Sequence, residues 1–223
     1  MDKLSNSEIL AEIAGGLQDW RKLAQPLAAR YRAADAVAGA TFVAAVAQVG
    51  AAVGHDVPVI TLGNGSIDLA LFTVDEAGCR WITSKDIELA GVISVLARDL
   101  GLVAAPGEVA QLELGLDTAD YAAAGPFWAA LLSGDDGRAV LDSVFDAKNR
   151  VPSVWFQQTD AHRTPRQRWH MDLWLAPEVA AERIAAAVGA GGTLVDDSEA
   201  PAFTVLADPE GNKVCVCTAL GRD

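Results

Sequence analysis

A short stretch of small residues near the middle of the chain separates two different patterns of helices and strands. Residues 103–108, VAAPGE, combine alanines with a proline and a glycine, a composition typical of a linker. Before this stretch the predicted elements follow the order α-β-β-α-β-β-α, and after it a strand–helix–strands unit occurs twice. The length of 223 residues suits two ordinary domains. The sequence therefore predicts a domain at residues 1–104 and a second at residues 105–223.

The first half has the pattern of three helices and an antiparallel sheet. The helices are expected at residues 4–14, at 34–53, and after Thr83-Ser84 up to Gly101. Residues 57–74 predict a hairpin, because Gly63-Asn64-Gly65 between two apolar runs is typical of a tight turn. The segment Leu27–Ala33, after Trp20, is expected to supply two further short strands. The fold class is thus α+β, with a four-stranded antiparallel sheet and three helices on one face.

The second half shows alternating segments that predict strands around two helices. VAQLELGLD (109–117) and RWHMDLWLA (168–176) alternate between apolar and other residues, as half-buried strands do. A helix is expected at 119–132, with Gly125-Pro126 bending or delaying it, and a second helix begins at Pro177. Strands are also expected around residues 139–145 and 153–158, and within 193–217. The second half therefore predicts a pair of βαβββ units, an internal repeat of pattern.

Charge and hydropathy exclude several classes of partner. The net charge is −13, and 17 basic residues are scattered among 30 acidic ones, which argues against binding to nucleic acid or to an anionic membrane. No apolar run reaches the roughly 18 residues that a membrane span requires. The opening MDKLSNSEIL lacks the basic and then apolar pattern of a secretory signal. We therefore expect a cytoplasmic protein with neither nucleic-acid nor membrane partners.

Residues 4–102 resemble the pterin-4a-carbinolamine dehydratase family. The resemblance rests on Leu4 with Glu8-Ile9, Trp20, ARYRA at 29–33, Phe42, GHDVP at 54–58, and above all TSKDIELA at 83–90. That last segment is close to the family's T-x-[RK]-D-h-x-L-A motif. The resemblance implies a metal-free hydro-lyase that dehydrates 4a-hydroxytetrahydropterin, in tetrahydrobiopterin biosynthesis, and that needs no cofactor.

The family's active-site residues match this sequence only in part. In the family, a His-His-Pro turn, a further histidine at the end of the hairpin and the aspartate of the T-x-x-D segment carry the reaction. His55 matches the first histidine, Pro58 matches the proline after one inserted residue, and Asp86 matches the aspartate. Asp56 stands at the second histidine and Val74 at the third. His55 and Asp86 are therefore the catalytic candidates that the resemblance implies.

The replacement of two family histidines affects the proton transfers that the dehydration requires. Loss of water from the carbinolamine requires one proton for the leaving oxygen and removal of one from N5, and imidazole suits both tasks. Valine transfers no proton, and each missing acid–base group commonly lowers the rate by ~10²–10⁴. The sequence therefore predicts a weak or lost dehydratase activity. The substrate-binding candidates are Asp56, Pro58, Thr83 and His170.

Each candidate in the first half also has a purely structural interpretation. His55 follows a helix, where its ring would interact favourably with the carbonyl end of the dipole. Asp86 is the third residue after Thr83, a position where a carboxylate complements free N–H groups of a helix start. Asp56 is either a turn residue or a substitute acid. The sequence leaves these alternatives open.

Residues 108–220 resemble the glyoxalase-like branch of the vicinal-oxygen-chelate superfamily. The resemblance rests on FWAALLSG (127–134), RWHMDLWL (168–175) and residues 189–218, which include ADPEGN, a turn common in the last hairpin of these folds. It implies a paired βαβββ domain with a cleft. His170 shares a strand face with Asp172 and Trp174, so it is interpreted as a cleft-lining residue, with a core histidine as the alternative.

The resemblance also implies where a metal would bind in metal-dependent members of this superfamily. The corresponding positions hold Gln111 or Glu113, His170, Cys215, and Gln157 or Gln158. A hard divalent metal prefers oxygen and imidazole ligands to a single thiol among neutral groups, so no metal is predicted. The spacing of Cys215 and Cys217 puts both on one strand face, where packing under the sheet is favoured over a metal pair.

Three hypotheses for function follow from these patterns. The first is a dehydratase-like enzyme, and the second is a binding protein that holds a pterin-like small molecule without catalysis. The third places the activity in the glyoxalase-like half, with His170 at its centre. Both families commonly assemble through sheets or helices, and an alanine-rich helix face suits a homo-oligomer.

Overall fold

The computed structural model describes residues 2–56, 58–133, 139–146, 149, 151–161, 169–207 and 213–222. The helices are α1 (Asn6–Gly15), α2 (Ala36–Ala52), α3 (Ser84–Asp99), α4 (Tyr121–Ser133) and α5 (Pro177–Gly189). The strands of the first half are β1 (Trp20–Lys22), β2 (Leu27–Arg32), β3 (Val59–Gly63), β4 (Ser66–Leu71), β5 (Thr73–Val74), β6 (Arg80–Trp81) and β7 (Val103–Ala104). The strands of the second half are β8 (Ala110–Thr118), β9 (Ala139–Val140), β10 (Ser143–Val144), β11 (Val154–Gln158), β12 (Trp169–Leu175), β13 (Thr193–Asp196), β14 (Phe203–Ala207) and β15 (Lys213–Cys217).

The helices of the first half begin and end close to the predicted positions. Ser5 and Glu8 form a capping box at the start of α1, and the Asp35 carboxylate accepts the Ala38 N–H at the start of α2. Gly54, just after α2, has φ 66°, the left-handed conformation that favours glycine where a helix ends. Among the described residues, no helix is both long enough and apolar enough to span a bilayer.

Four strands of the first sheet are antiparallel and lie in the order β1-β2-β4-β3, in agreement with the predicted number. The segment 27–33, expected to supply two strands, forms only β2, and the remaining strand, β1, precedes it at Trp20–Lys22. The hairpin of β3 and β4 turns at Asn64 (φ 50°) and Gly65 (φ 73°), and both residue types tolerate this left-handed backbone. A fifth strand, β7, pairs with β2, and a short 3₁₀ helix follows at Pro106–Glu108. The segment interpreted as a linker is therefore folded and partly belongs to the first sheet.

The three N-terminal helices pack on one face of the first sheet. Phe42 and Val46 of α2, and Leu89 and Ile93 of α3, are buried together with apolar residues of β2 and β4. Trp20 is fully buried in this core, and its Nε1–H donates to Ser94 Oγ at 3.0 Å. This arrangement confirms the predicted α+β layers.

The second sheet has the order β13-β14-β15-β12-β8-β11-β10-β9. Strands β8 and β12 pair antiparallel at its centre, and each also pairs in parallel with the last long strand of its own unit, β11 or β15. This topology confirms the predicted pair of βαβββ units. Helix α4 begins at Tyr121 and continues through Pro126, so Gly125-Pro126 does not delay it. The ADPEGN turn lies mostly outside the described residues.

The turn between β1 and β2 lies against the second sheet. Leu23 and Ala28 are buried with Trp174, Ala176 and Cys217, which makes a small apolar cluster between the two halves. Alternation along β2 explains this contact, because Leu27, Ala29 and Tyr31 face the helices while Ala28 faces the other way. The face of the first sheet opposite the helices is thus partly covered by the second half of the chain.

Candidate functional site

His55 is placed by the end of α2 and points toward the start of α3. The backbone N–H of His55 donates to Gly50 O at 3.0 Å, so the residue closes the last turn of α2. Its ring is buried, with 5% of the side chain exposed, and Nε2 lies 3.0 Å from Asp86 Oδ1. The structure therefore joins the two residues that the sequence analysis named as catalytic candidates.

Asp86 uses its two carboxylate oxygens for different contacts. The residue is 0% exposed in the first turn of α3. Its Oδ2 accepts hydrogen bonds from Thr83 N at 2.8 Å, Thr83 Oγ1 at 2.7 Å and Thr73 Oγ1 at 2.8 Å, while Oδ1 faces His55. One residue thus stabilises the helix start and also orients the imidazole. The two interpretations of Asp86 are compatible.

Both ring nitrogens of His55 face oxygen atoms. Nδ1 lies 2.6 Å from the backbone oxygen of Asp56, and Nε2 lies against the Asp86 carboxyl group. A carbonyl oxygen only accepts, so Nδ1 carries a proton. The second contact, between Nε2 and Asp86 Oδ1, is a hydrogen bond in which either group can be the donor. The two side chains are therefore a buried pair joined by one hydrogen bond.

The other candidates of the first half surround this pair to different degrees. Thr83 and Pro58 are buried, and Thr83 contacts Asp86 directly. Asp56 is exposed, and Val74, at the position of the family's third histidine, is 45% exposed on β5. Thr73, whose hydroxyl donates to Asp86 Oδ2 at 2.8 Å, was not predicted from the sequence. Its only signal was its place next to Val74 in the family motif.

His170 lies away from this pair, on β12 of the second sheet. Its Nδ1 is 3.1 Å from Asp172 Oδ1, two residues along the same strand face. The ring packs edge-on against Trp155 with 5.0 Å between centroids, and it lies over Gly115 of the neighbouring strand. A Cβ at position 115 would come within 2.4 Å of His170 Nε2, so a glycine is needed beneath the ring.

The pKa values of His170 and of nearby Glu113 are both raised. The hydrogen bond to Asp172, and then the one to Cys215, raise the pKa of His170 to about 10. Burial raises the pKa of Glu113, whose Oε1 accepts from Gln25 Nε2 at 2.5 Å and from Ser153 Oγ at 2.7 Å. These groups line the face of the second sheet that is opposite α4 and α5.

The turn between β1 and β2 reaches the same face of the second sheet. Gln25 bridges Glu113 and Gln111, because Gln111 Nε2 donates to Gln25 Oε1 at 2.8 Å. Lys22 Nζ donates to the backbone oxygens of Leu23 and Ala24, and burial lowers the pKa of Lys22 to about 8. The sequence positions named for metal binding on β8, Gln111 and Glu113, are therefore engaged by the first half of the chain.

A cavity of about 580 Å³ lies between the two halves. It is lined by β2 and β4 of the first sheet, and by β8 and residues 151–153 of the second half. Arg80 contributes to its wall and donates to Asn149 Oδ1 at 3.1 Å and to the Asp146 backbone oxygen at 2.8 Å. His55 and Asp86 are not among the described residues that line it, so this cavity is separate from the His55–Asp86 pair.

The chain thus contains two structural units. One is an α+β unit with the buried His55–Asp86 pair, and the other is a paired βαβββ unit whose polar sheet face includes His170. Comparison with protein families agrees with this division. Residues 2–96 match the family model described as pterin 4 alpha carbinolamine dehydratase, and residues 113–217 match the glyoxalase-like domain. The chain thus contains a pterin-4a-carbinolamine dehydratase-like domain within residues 2–96 and a glyoxalase-like domain within residues 113–217. No curated protein matches the chain.

Proposed function

We propose that the N-terminal domain binds reduced pterins beside His55 and Asp86, and that it dehydrates 4a-hydroxytetrahydropterin slowly. The observation that supports this function best is the 3.0 Å contact between His55 Nε2 and Asp86 Oδ1. The contact places an imidazole and a carboxylate together at the two positions that match the dehydratase motif. We also propose that the boundary between the two domains lies between residues 104 and 105.

The reaction needs one proton to move in each direction. The C4a–O bond breaks, the leaving hydroxide takes a proton and becomes water, and N5 loses a proton to give the quinonoid dihydropterin. The His55–Asp86 contact holds a proton that can go to the leaving oxygen, and the same pair can recover a proton from N5. The pair returns to its starting state after each cycle.

A slow rate follows from the number of acid–base groups. One imidazole must serve both steps, because Asp56 and Val74 replace the other two family histidines. Each missing group commonly lowers the rate by ~10²–10⁴. Catalysis also requires the substrate to approach a ring that is almost buried.

A second candidate function is pterin binding without turnover. The burial of the His55 ring and the hydrogen bonds on both of its nitrogens favour this alternative. A ligand would then contact the exposed Asp56 instead of the ring, and His55 would orient the turn. The two candidates share a binding site and differ only in proton transfer.

The test measures both binding and turnover with the full chain. A tetrahydropterin is titrated to obtain Kd, and the dehydration of freshly generated 4a-hydroxytetrahydropterin is followed by absorbance. Asp86→Asn is the informative variant, because its amide oxygen can still accept from Thr83 while its NH₂ donates to His55 Nε2 and removes the shared proton. Asp35→Asn is the matched control, since Asp35 also binds a helix start but is remote in sequence from the motif.

Dehydratase function predicts that wild type and Asp35→Asn accelerate the reaction above buffer, while His55→Ala and Asp86→Asn do not. All four proteins should bind tetrahydropterin within a few-fold of one another, except for a larger loss in His55→Ala if the turn moves. Binding by the wild type at the uncatalysed rate would establish the second candidate. Absence of pterin binding would refute both.

A further inference from the structure

We propose that a second cavity between the two halves of the chain binds a small organic anion, with a carboxylate or phosphate group attached to an apolar ring. This basic cavity, whose wall includes Lys22, Arg80 and Arg222, has a volume of about 590 Å³. Cavities of this size commonly hold small molecules. His55 and Asp86 are not among the described residues that line it, so the site is independent of the proposed dehydratase function.

The charge of the basic cavity is opposite to that of the whole chain. The chain has a net charge of −13, yet the described residues that line this cavity include no aspartate and no glutamate. Neither Lys22 nor Arg222 forms an ion pair with a carboxylate of the described residues. The basic cavity therefore attracts anions that most of the protein surface repels.

Elements of both halves bring Lys22 and Arg222 to the same cavity. Lys22 is the last residue of β1, and Arg222 follows β15. Asn6 of α1 joins the halves here, because its Nδ2 donates to the backbone oxygens of Ala219 at 2.8 Å and Arg222 at 2.6 Å. Trp174 is the only residue of the second sheet among the described residues of the wall. The basic cavity thus lies at the contact between the domains and not in the cleft of the second sheet.

Arg222 is held in position but keeps donors for a ligand. Its guanidinium lies over the Trp174 ring, 4.5 Å from the centroid. Nε donates to the Thr218 backbone oxygen and Nη2 to the Ala202 backbone oxygen, each at 3.0 Å. A guanidinium has five N–H groups, so three have no acceptor among the described residues. A fixed planar group with several such donors suits the oxygen atoms of a carboxylate or a phosphate.

Lys22 supplies a second positive charge to the basic cavity. Its Nζ donates to the backbone oxygens of Leu23 and Ala24, which leaves one N–H without an acceptor among the described residues. Burial is the main cause that lowers the pKa of Lys22 to about 8, while Glu113 opposes this effect and the charge of Arg222 adds to it. The amine is therefore mostly charged at pH 7, and an anion between Lys22 and Arg222 would stabilise both cations.

Much of the remaining wall is apolar, which favours a ring over a purely inorganic ion. The large apolar side chains of the wall are Leu4, Ile9, Leu23, Trp81, Ile82 and Trp174. Arg80 also lines the cavity, but its guanidinium already donates to Asn149 Oδ1 and to the Asp146 backbone oxygen, so we assign it no direct contact. The ligand therefore combines an anionic group for Lys22 and Arg222 with an apolar body.

The test is calorimetric titration of the full chain with benzoate, with phenyl phosphate, and with benzamide, which has the shape of benzoate but no charge. We expect one molecule of at least one of the two anions per chain, and binding of benzamide at least about tenfold weaker. Binding of only one anion would identify the preferred group as a carboxylate or a phosphate.

Two variants locate the bound anion. Lys22→Met and Arg222→Gln each remove a positive charge that the anion would contact, so each should weaken binding by about 10–100-fold, as expected for the loss of a hydrogen bond to a charged group. Arg21→Gln is the matched control, because Arg21 is the neighbour of Lys22 on β1, pairs with Glu178 and does not line the basic cavity. Urea unfolding shows whether each variant folds.

Protection from acetylation provides a measurement that needs no variant. A bound anion should slow the acetylation of Lys22 by acetic anhydride, measured by mass spectrometry, while exposed Lys85 on α3 reacts at an unchanged rate. The proposal is overturned if neither anion binds with a stoichiometry of one, or if benzamide binds as tightly as the anions. It is also overturned if Arg21→Gln weakens binding as much as Lys22→Met, or if the bound anion leaves the acetylation of Lys22 unchanged.

Discussion

Replacement of Asp86 by alanine should destabilise the chain far more than the loss of an ordinary helix cap. Four hydrogen-bonding groups converge on this buried carboxylate: the Thr83 N–H, the hydroxyls of Thr83 and Thr73, and His55 Nε2. Alanine would leave all of them without their acceptor in a place that water does not reach.

The magnitude follows from the individual contacts. Loss of the contact to the Thr83 N–H resembles the loss of a helix cap, about 1 kcal/mol. The contact to His55 is a buried charge-assisted hydrogen bond worth about 1.5–3 kcal/mol. The two hydroxyls can rotate and add less. The expected decrease in the free energy of unfolding is therefore about 3–5 kcal/mol, the range seen when one partner of a buried pair is removed.

Asp35→Ala provides the matched comparison. Asp35 is exposed, and its carboxylate accepts one helix-start hydrogen bond, from Ala38 N at 2.8 Å. We expect that variant to lose about 1 kcal/mol. The wild type and both variants are unfolded in urea at pH 7, and unfolding is followed by circular dichroism. The shift in midpoint, multiplied by a common slope, gives the loss in free energy of unfolding for each variant. If they agree within about 1 kcal/mol, the buried network around Asp86 does not stabilise the domain as described.

Three further predictions concern the contact between the domains. Burial lowers the pKa of Lys22 to about 8, so the folded chain loses this proton before the unfolded chain does, and the stability of the wild type relative to Lys22→Met should rise between pH 8 and about 10. If the urea midpoints of the wild type and Lys22→Met differ by the same amount at pH 7.5 and at pH 10, this prediction is wrong. Gln25→Ala leaves buried Glu113 with one fewer donor and should lower the free energy of unfolding by about 1–3 kcal/mol. Arg21→Ala removes an ion pair to Glu178, which is 44% exposed, and should lower it by at most about 1 kcal/mol. The reverse order of these last two effects in urea unfolding would show that the buried contact of Gln25 is not the stronger one.

The elements of both domains could be predicted because their signals are local. Ser5 with Glu8, and Thr83 with Asp86, are recognisable helix starts, and Asn64-Gly65 suits the left-handed backbone of a tight hairpin. The extra strand β7 was missed, since Val103–Ala104 is short and lies in a segment with the composition of a linker. Gly125-Pro126 was expected to bend or delay helix α4, and the helix is not delayed, because it begins at Tyr121 and continues through Pro126.

The residues that surround His55 and His170 were predicted less completely than the helices and strands. The family motif named His55 and Asp86, which the structure brings together across 31 positions. Thr73, which binds the same carboxylate, was not named, although it lies next to Val74 in the family motif. Cys215 and His170 were named separately, but their convergence with Asp172 depends on the register of β12 with β15.

The sequence by itself determined the type and order of most elements, the two family resemblances and the loss of two family histidines, because each of these depends on residues that are neighbours in the chain. The tertiary structure alone decided which side chains meet. Gln25 reaches Glu113 across 88 positions, and Asp172 lies opposite Cys215 across 43 positions. Such contacts depend on strand register and on the packing of one domain against the other, and no local preference of the chain specifies either.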